Sequence, residues 1–233
     1  MAIRCVVFDL DDTLYLERDY VRSGFAAVAA WARSELGVPG LLEAAWAAFE
    51  RGTRHTVFNE VLLDAGVEPT KARIDALVAQ YRRHVPSIDL LPDARACLET
   101  LSGRVTMAAI SDGPIESQQA KVGALGLTRW LDPIVLTAEL GPGMQKPHPR
   151  AYELVQARAG CLPRECAYVG DNPTKDFAAP ASLGWRTVRV RRLMGLHTHL
   201  TSGREVEVEI PDLSTLPAVL RLNRPAVRGN SIP

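Results

Sequence analysis

IRCVVFDLDDTL, residues 3–14, is the stretch on which the fold of this chain turns. From Ile3 to Leu10 it is an apolar run rich in β-branched residues, broken only by Arg4 and Asp9, and it ends in carboxylates. A strand with one wet face would alternate polar and apolar residues; this one does not, so it reads as covered on both faces, as strands of parallel sheets are. Similar runs recur at Val105–Ile110, Ile134–Leu136, Ala167–Val169 and Arg186–Val190, with helix-like stretches between the later ones. Alternation of that kind predicts an α/β fold built on a doubly wound parallel sheet.

Between the first and second strands the rhythm breaks. From Asp19 to about His84 there are helical patterns and no convincing buried strand: FAAVAAWARSEL, LLEAAWAAFERGTRHTVFNEVLLDAG and KARIDALVAQYRRHV, punctuated by Gly37, Pro39, Gly66 and Pro69. Apolar residues fall three and four apart in each, which predicts about four helices inserted as a cap. The expected organisation is a Rossmann-like core domain over residues 1–16 and 88–222 and an α-helical cap domain over 17–87. Pro92 is expected to open a helix that returns the chain to the core, and Gly103 to end it. Val206–Ile210 and the PDLSTLPAVLRL stretch suggest a closing strand, turn and short helix. Residues 223–233 have no apolar period and are expected to be a disordered tail.

With 233 residues, 47% of them hydrophobic, the chain can bury a sizeable core. Lys+Arg and Asp+Glu both total 27. Nothing in that balance draws the protein to nucleic acid or to an anionic membrane, so any anion must be held by a local site. No run approaches the roughly 18 apolar residues of a membrane helix. Cys5, Cys97, Cys161 and Cys166 are scattered without a CxxC pair or a secretory leader, so reduced thiols in the cytoplasm are expected. The basic residues are nearly all arginine, and the lysines are Lys71, Lys121, Lys146 and Lys175. Each of the four is therefore a position to check. The sequence does not fix the oligomeric state.

In a parallel α/β sheet ligands bind at the carboxyl ends of the strands. The first strand here ends FDLDDTL, the second ends ISDG, Lys146-Pro147 follows the third, and the fourth ends VGDNPTKD. Aspartates, a hydroxyl and a lysine would converge on one crevice, the mixture that phosphoryl transfer needs. Asp9 can act as a nucleophile and form an aspartyl-phosphate, provided that a cation offsets its repulsion from the phosphate. Mg²⁺ with oxygen ligands suits that task. Asp11, two residues on, has left the strand; its carboxyl can serve the leaving oxygen as acid and then base while its backbone carbonyl faces the metal. Ser111, with the backbone of Asp112 and Gly113, and Lys146 would bind phosphate oxygens. Asp171 and Asp176 would complete the metal set with Asp9 and Asp11, Asp176 either as a ligand or as an orienting group acting through water or Lys175. Gly170 is expected to let the backbone turn sharply beside the ion.

These four segments, FDLDDTL at 8–14, Ser111 after an apolar strand, Lys146-Pro147, and GDNPTKD at 170–176, resemble the four ordered motifs of the haloacid dehalogenase superfamily. The resemblance runs from about Ile3 to Val190 and includes helical material where that superfamily places one type of cap. It implies a hydrolase with a magnesium site, acting on a small phosphorylated metabolite such as a sugar phosphate or nucleotide. Dehalogenases proper work without metal and typically lack the second aspartate of the pair, so Asp11 favours a phosphatase. Phosphomutase and, further off, metal-independent 2-haloacid dehalogenase are the alternatives; Asp12-Thr13 fits hydrolysis better than the glycine usual in mutases.

Other residues have plainer readings. Asp12 is explained by the local turn and stays outside the catalytic set. Cys161 and Cys166 lack the second pair that zinc would want. His197 and His199 flank the basic stretch Arg189–Arg192 in what reads as a solvated loop, with a border of the site opening as the alternative. Tyr15, Tyr20, Arg22, Phe25, Arg51, His55 and Phe58 are the candidates to meet a leaving group, most of them expected to be packing or surface residues, and Trp31 and Trp46 read as core.

Overall fold

The computed structural model describes residues 2–222, so the expected tail at 223–233 lies outside the described residues. Six strands form one parallel sheet: β1 (Cys5–Phe8), β2 (Thr106–Ser111), β3 (Ile134–Leu136), β4 (Cys166–Gly170), β5 (Arg186–Val190) and β6 (Val208–Ile210). Their spatial order is β3-β2-β1-β4-β5-β6. Every neighbouring pair is parallel, with Cys5 opposite both Thr106 and Cys166.

β1 has no polar face because both its faces are covered. Val6 and Phe8 enter one buried cluster with Met107, Ala109, Val169 and Leu98. Cys5 and Val7 enter another with Ile110, Tyr152, Val155 and Tyr168. The side-chain period of two in a strand makes this division automatic. The first face is closed by α5 (Pro92–Leu101), α6 (Ile115–Ala124) and α9 (Leu216–Val219), the second by α7 (Arg150–Ala159) and α8 (Ala178–Ser182). Pro92 and Gly103 stand where expected, Pro92 as the first residue of α5 and Gly103 in a left-handed conformation just beyond its end.

Between β1 and β2 lie four helices: α1 (Glu17–Glu35), α2 (Leu41–Glu50), α3 (Val57–Asp64) and α4 (Lys71–Arg83). They bury a cluster of their own, including Phe25, Val28, Leu41, Phe49, Leu62 and Leu77. The long pattern from Leu41 to Gly66 is two helices, because the chain turns at Arg51-Gly52, where Gly52 takes a positive φ. The last strand is shorter than the alternation from Val206 suggests and begins at Val208. Among the described residues no helix is long and apolar enough to cross a membrane.

Candidate active site

Strand order decides where a crevice opens. With β2 on one side of β1 and β4 on the other, the chain leaves β1 and β4 toward opposite layers, and the gap above their carboxyl ends is the topological switch point. Asp9 follows β1 and Asp171 follows β4. The carboxylates of Asp9, Asp171 and Asp176 each offer an oxygen within 4.8 Å of the others, and all three residues are buried. Asp9 is only 3% exposed and Asp176 fully enclosed.

Lys146 joins this trio from the segment after β3. Its Nζ donates to Asp9 Oδ1 at 2.6 Å, to Asp176 Oδ1 at 2.7 Å and to the Tyr168 hydroxyl at 3.1 Å. Asp176 is held further by Asn172 N–H, which donates to Oδ2 at 2.9 Å. Asp171 differs: its carboxylate meets no cation and accepts no hydrogen bond among the described residues, although it is 7% exposed. Burial, with Asp176 and Asp9 adding to it, pushes the Asp171 carboxyl well above its usual range. Burial likewise raises Asp9 to about 6, against the pull of Lys146. The cluster therefore carries more negative charge than its lysine answers, and its donors are all hard oxygens, the set that a small divalent cation such as Mg²⁺ prefers.

Asp11 stands apart from the trio. Both its oxygens accept from Lys121 Nζ, at 2.7 and 2.9 Å, and the Tyr15 hydroxyl donates to Oδ1. Burial would raise this carboxyl, but the adjoining ammonium and the Tyr15 hydroxyl outweigh it and hold it below its usual range. Asp12 is turned away, taking the first N–H of α1 from Glu17 at 2.9 Å and Leu196 N–H at 2.7 Å, so that it ties the loop after β5 to the start of the helices.

Ser111 ends β2 and donates through Oγ to Gln118 Oε1 at 2.7 Å. The Asp112 carboxylate is occupied by the Thr137 hydroxyl at 2.7 Å and Lys146 N–H at 3.1 Å, with Lys175 Nζ at 3.6 Å. What Asp112 and Gly113 have left to offer is backbone N–H.

Several expectations need correction here. Lys175 pairs with Asp112, and the lysine that orients Asp176 is Lys146. Gly170 has no left-handed φ; a Cβ there would stand 2.5 Å from Asp176 Oδ2, so glycine is required for clearance rather than for a turn. The stretch Arg189–Arg192 is not a solvated loop throughout. Arg189 is fully buried and donates to the carbonyls of Asp171, His197 and Leu200, while Arg192 holds the Thr13 carbonyl and Asp93. His197 Nε2 meets Asn172 Nδ2 at 3.0 Å, which binds this loop to the site. Of the leaving-group candidates, Phe25 and Phe58 pack within the helices and Arg51 pairs with Glu60, whereas Tyr15 and Tyr20 flank Lys121. Trp31 and Trp46 are only partly buried, Trp46 with Arg18 and Arg22 over its ring at 5.4 and 5.3 Å. Gln118 and Lys121 escaped the reading of the motifs. Their three-residue spacing puts them on one face of α6, and the scarcity of lysine was the one signal that pointed at Lys121.

The family model of haloacid dehalogenase-like hydrolases matches residues 3–184. The chain belongs to that family. Among its haloacid dehalogenase-like relatives, a phosphoserine phosphatase of Thermus thermophilus is 35% identical over 170 residues, 72% of this chain and 64% of that protein, so the chain spans a little under two thirds of its length. An (S)-2-haloacid dehalogenase of Xanthobacter autotrophicus is 30% identical over 213 residues, 86% of this chain and 81% of that protein. The fold of a haloacid dehalogenase-type hydrolase of Bacillus subtilis, solved bound to magnesium, superposes with a TM-score of 0.69 at 21% identity, covering 94% of this chain and 99% of the other.

Proposed function

We propose that this hydrolase is a Mg²⁺-dependent phosphatase that cleaves a small phosphorylated metabolite, a sugar phosphate or a nucleotide, through an aspartyl-phosphate on Asp9. The observation that carries the reading is the buried Asp171 carboxylate, uncompensated beside Asp9 and Asp176. A buried charge without a partner is costly enough that it either takes up a proton or binds a cation. In this reading Asp9, Asp171, Asp176 and the Asp11 backbone carbonyl hold Mg²⁺, which supplies the positive charge that lets a carboxylate approach a phosphate dianion.

The protein's own groups do the rest. Asp9 attacks phosphorus and the ester bond to the leaving oxygen breaks as Asp11 gives that oxygen a proton. Water then attacks the aspartyl-phosphate, with Asp11 taking its proton, and inorganic phosphate departs. Ser111, the N–H groups of Asp112 and Gly113, and Lys146 bind phosphate oxygens, Ser111 exchanging its contact to Gln118 for one of them. The four helices over residues 17–87 form a cap domain on a core of 1–16 and 88–222 and close over the site to exclude water. The buried, unpaired thiols suit a cytoplasmic setting.

Phosphate release from a panel of sugar phosphates, nucleotides and p-nitrophenyl phosphate tests the reading. Activity should need Mg²⁺, vanish with EDTA and vanish in Asp9→Asn. Full turnover in that variant would remove Asp9 as nucleophile. The dehalogenase relative makes halide release a fair second assay; metal-independent release of halide from a 2-haloacid would replace the phosphatase reading, against which Asp11 and its lysine stand.

A further inference from the structure

The proposed reaction uses Asp11 but says nothing of why that side chain should sit where it does. Asp11 lies beyond the end of β1 on a turn whose only sheet-like contact among the described residues is a single bridge to Tyr15. A carboxylate there has two free side-chain torsions, and the charges of Asp9 and Glu17 tend to drive it away. What counters them is Lys121, on α6, 4% exposed and with Nζ against both Asp11 oxygens. The same ammonium stands 4.3 Å from the centre of the Tyr20 ring, on α1. Arg82 O, at the end of α4, receives the hydroxyl of Ser117, four residues earlier on α6. Gln118, one turn before Lys121, holds Ser111. One helix therefore braces two residues of the site and touches the helical segment as well.

Burying an ammonium costs several kcal/mol unless it is paired well. A chain whose basic residues are nearly all arginine places a lysine here, and the reason is shape: an ammonium is a compact point charge that fits between a ring face and a carboxylate, where a planar guanidinium would need more room.

We propose that Lys121 is the positioning residue for Asp11, clamping its carboxyl, with Tyr15, in the one orientation from which it can hand a proton to the leaving oxygen. The inference rests on the phosphatase reading. Lys121 touches neither substrate nor the reacting atoms and gives up no proton of its own; it holds Asp11 ionised in the free protein, so the proton that Asp11 passes to the leaving oxygen enters with the substrate, bound as the phosphate monoanion, and Asp11 recovers one from water in the second half.

Leaving groups separate this from a merely structural role. An alkoxide needs a proton to depart and p-nitrophenolate does not. In Lys121→Met, kcat on a sugar monophosphate should fall by at least ~100-fold, the usual worth of general acid catalysis. The fall on p-nitrophenyl phosphate should stay below ~10-fold. Lys121→Arg should recover part of the loss, and the Asp11→Asn/Lys121→Met double variant should be no slower than Asp11→Asn alone. Equal falls on both esters, no fall, or losses that multiply in the double variant would overturn the proposal. A crystal structure of Lys121→Met supplies a readout apart from activity: the Asp11 carboxylate should be displaced or spread over rotamers, and an unmoved carboxylate would sink the idea. Should the Met variant fail to fold, Lys121→Gln carries the same comparisons. A wild-type protein inactive on both esters would defeat the phosphatase reading, and the crystal structure alone would then decide whether Lys121 fixes Asp11.

Discussion

Asp9 shows what a residue gives up to stand buried where the proposed nucleophile must be. Raising its carboxyl from 3.8 to about 6 by burial reflects on the order of 3 kcal/mol set against the ionised form. In the proposed reaction that ionised form is the one that would attack and the one that would bind a cation. A group whose folded value is raised binds its proton more tightly in the folded state, so its contribution to stability is complete at low pH and is lost as pH rises through the raised value. Mg²⁺ at the proposed site would reverse this for Asp9 and Asp171 because it would bind only the deprotonated pair. The rise in melting temperature on adding Mg²⁺ should therefore be small near pH 5 and grow as pH passes about 6. Calorimetry with and without the ion over that range measures it, and a magnesium shift independent of pH would contradict the site.

At the scale of elements, β4 and the turn after it form a unit in which clearance matters more than propensity. Gly170 ends the strand, Asn172 N–H and Lys146 fix Asp176, and Arg189 from the neighbouring strand takes the Asp171 carbonyl. Both Asp176 oxygens are thus tied, and the side chain can step aside for a methyl group only 2.5 Å away only by giving up those ties. Gly170→Ala should lower stability by about 1–3 kcal/mol, as overpacking does. It should also cut phosphate release far more than it lowers the melting temperature at the assay temperature would explain, since Asp176 must move. Urea denaturation beside steady-state kinetics tests both parts; wild-type kinetics in this variant would show that Asp176 tolerates the shift.

For the whole molecule, the four helices between β1 and β2 bury their own cluster while sharing Tyr81 with the cluster under the sheet. A segment with a separate core can open on its own, as a lid must. Leu77→Ala empties a fully buried position of that cluster and should cost about 2–5 kcal/mol locally. Hydrogen exchange should then quicken in α1–α4 while amides of β1, β2 and β4 keep their protection. Uniform loss of protection across helices and sheet would mean that the two parts unfold as one and that no independent cap exists.

The sequence by itself determined the sheet and the strand ends. A parallel strand buried on both faces leaves a signature that short-range chemistry cannot imitate, and residues that follow such strands must share a rim; Asp9, Ser111, Lys146, Asp171 and Asp176 were legible for that reason. The pairing within the rim was decided by tertiary structure alone. Lys146 rather than Lys175 meets Asp176, Lys121 meets Asp11 across 110 positions, Gly170 yields to a side chain six residues on, and Arg189 goes inside. Periodicity records which face of an element is dry, but which charge a long flexible side chain finds depends on distances between elements, and those exist only once the sheet has been assembled.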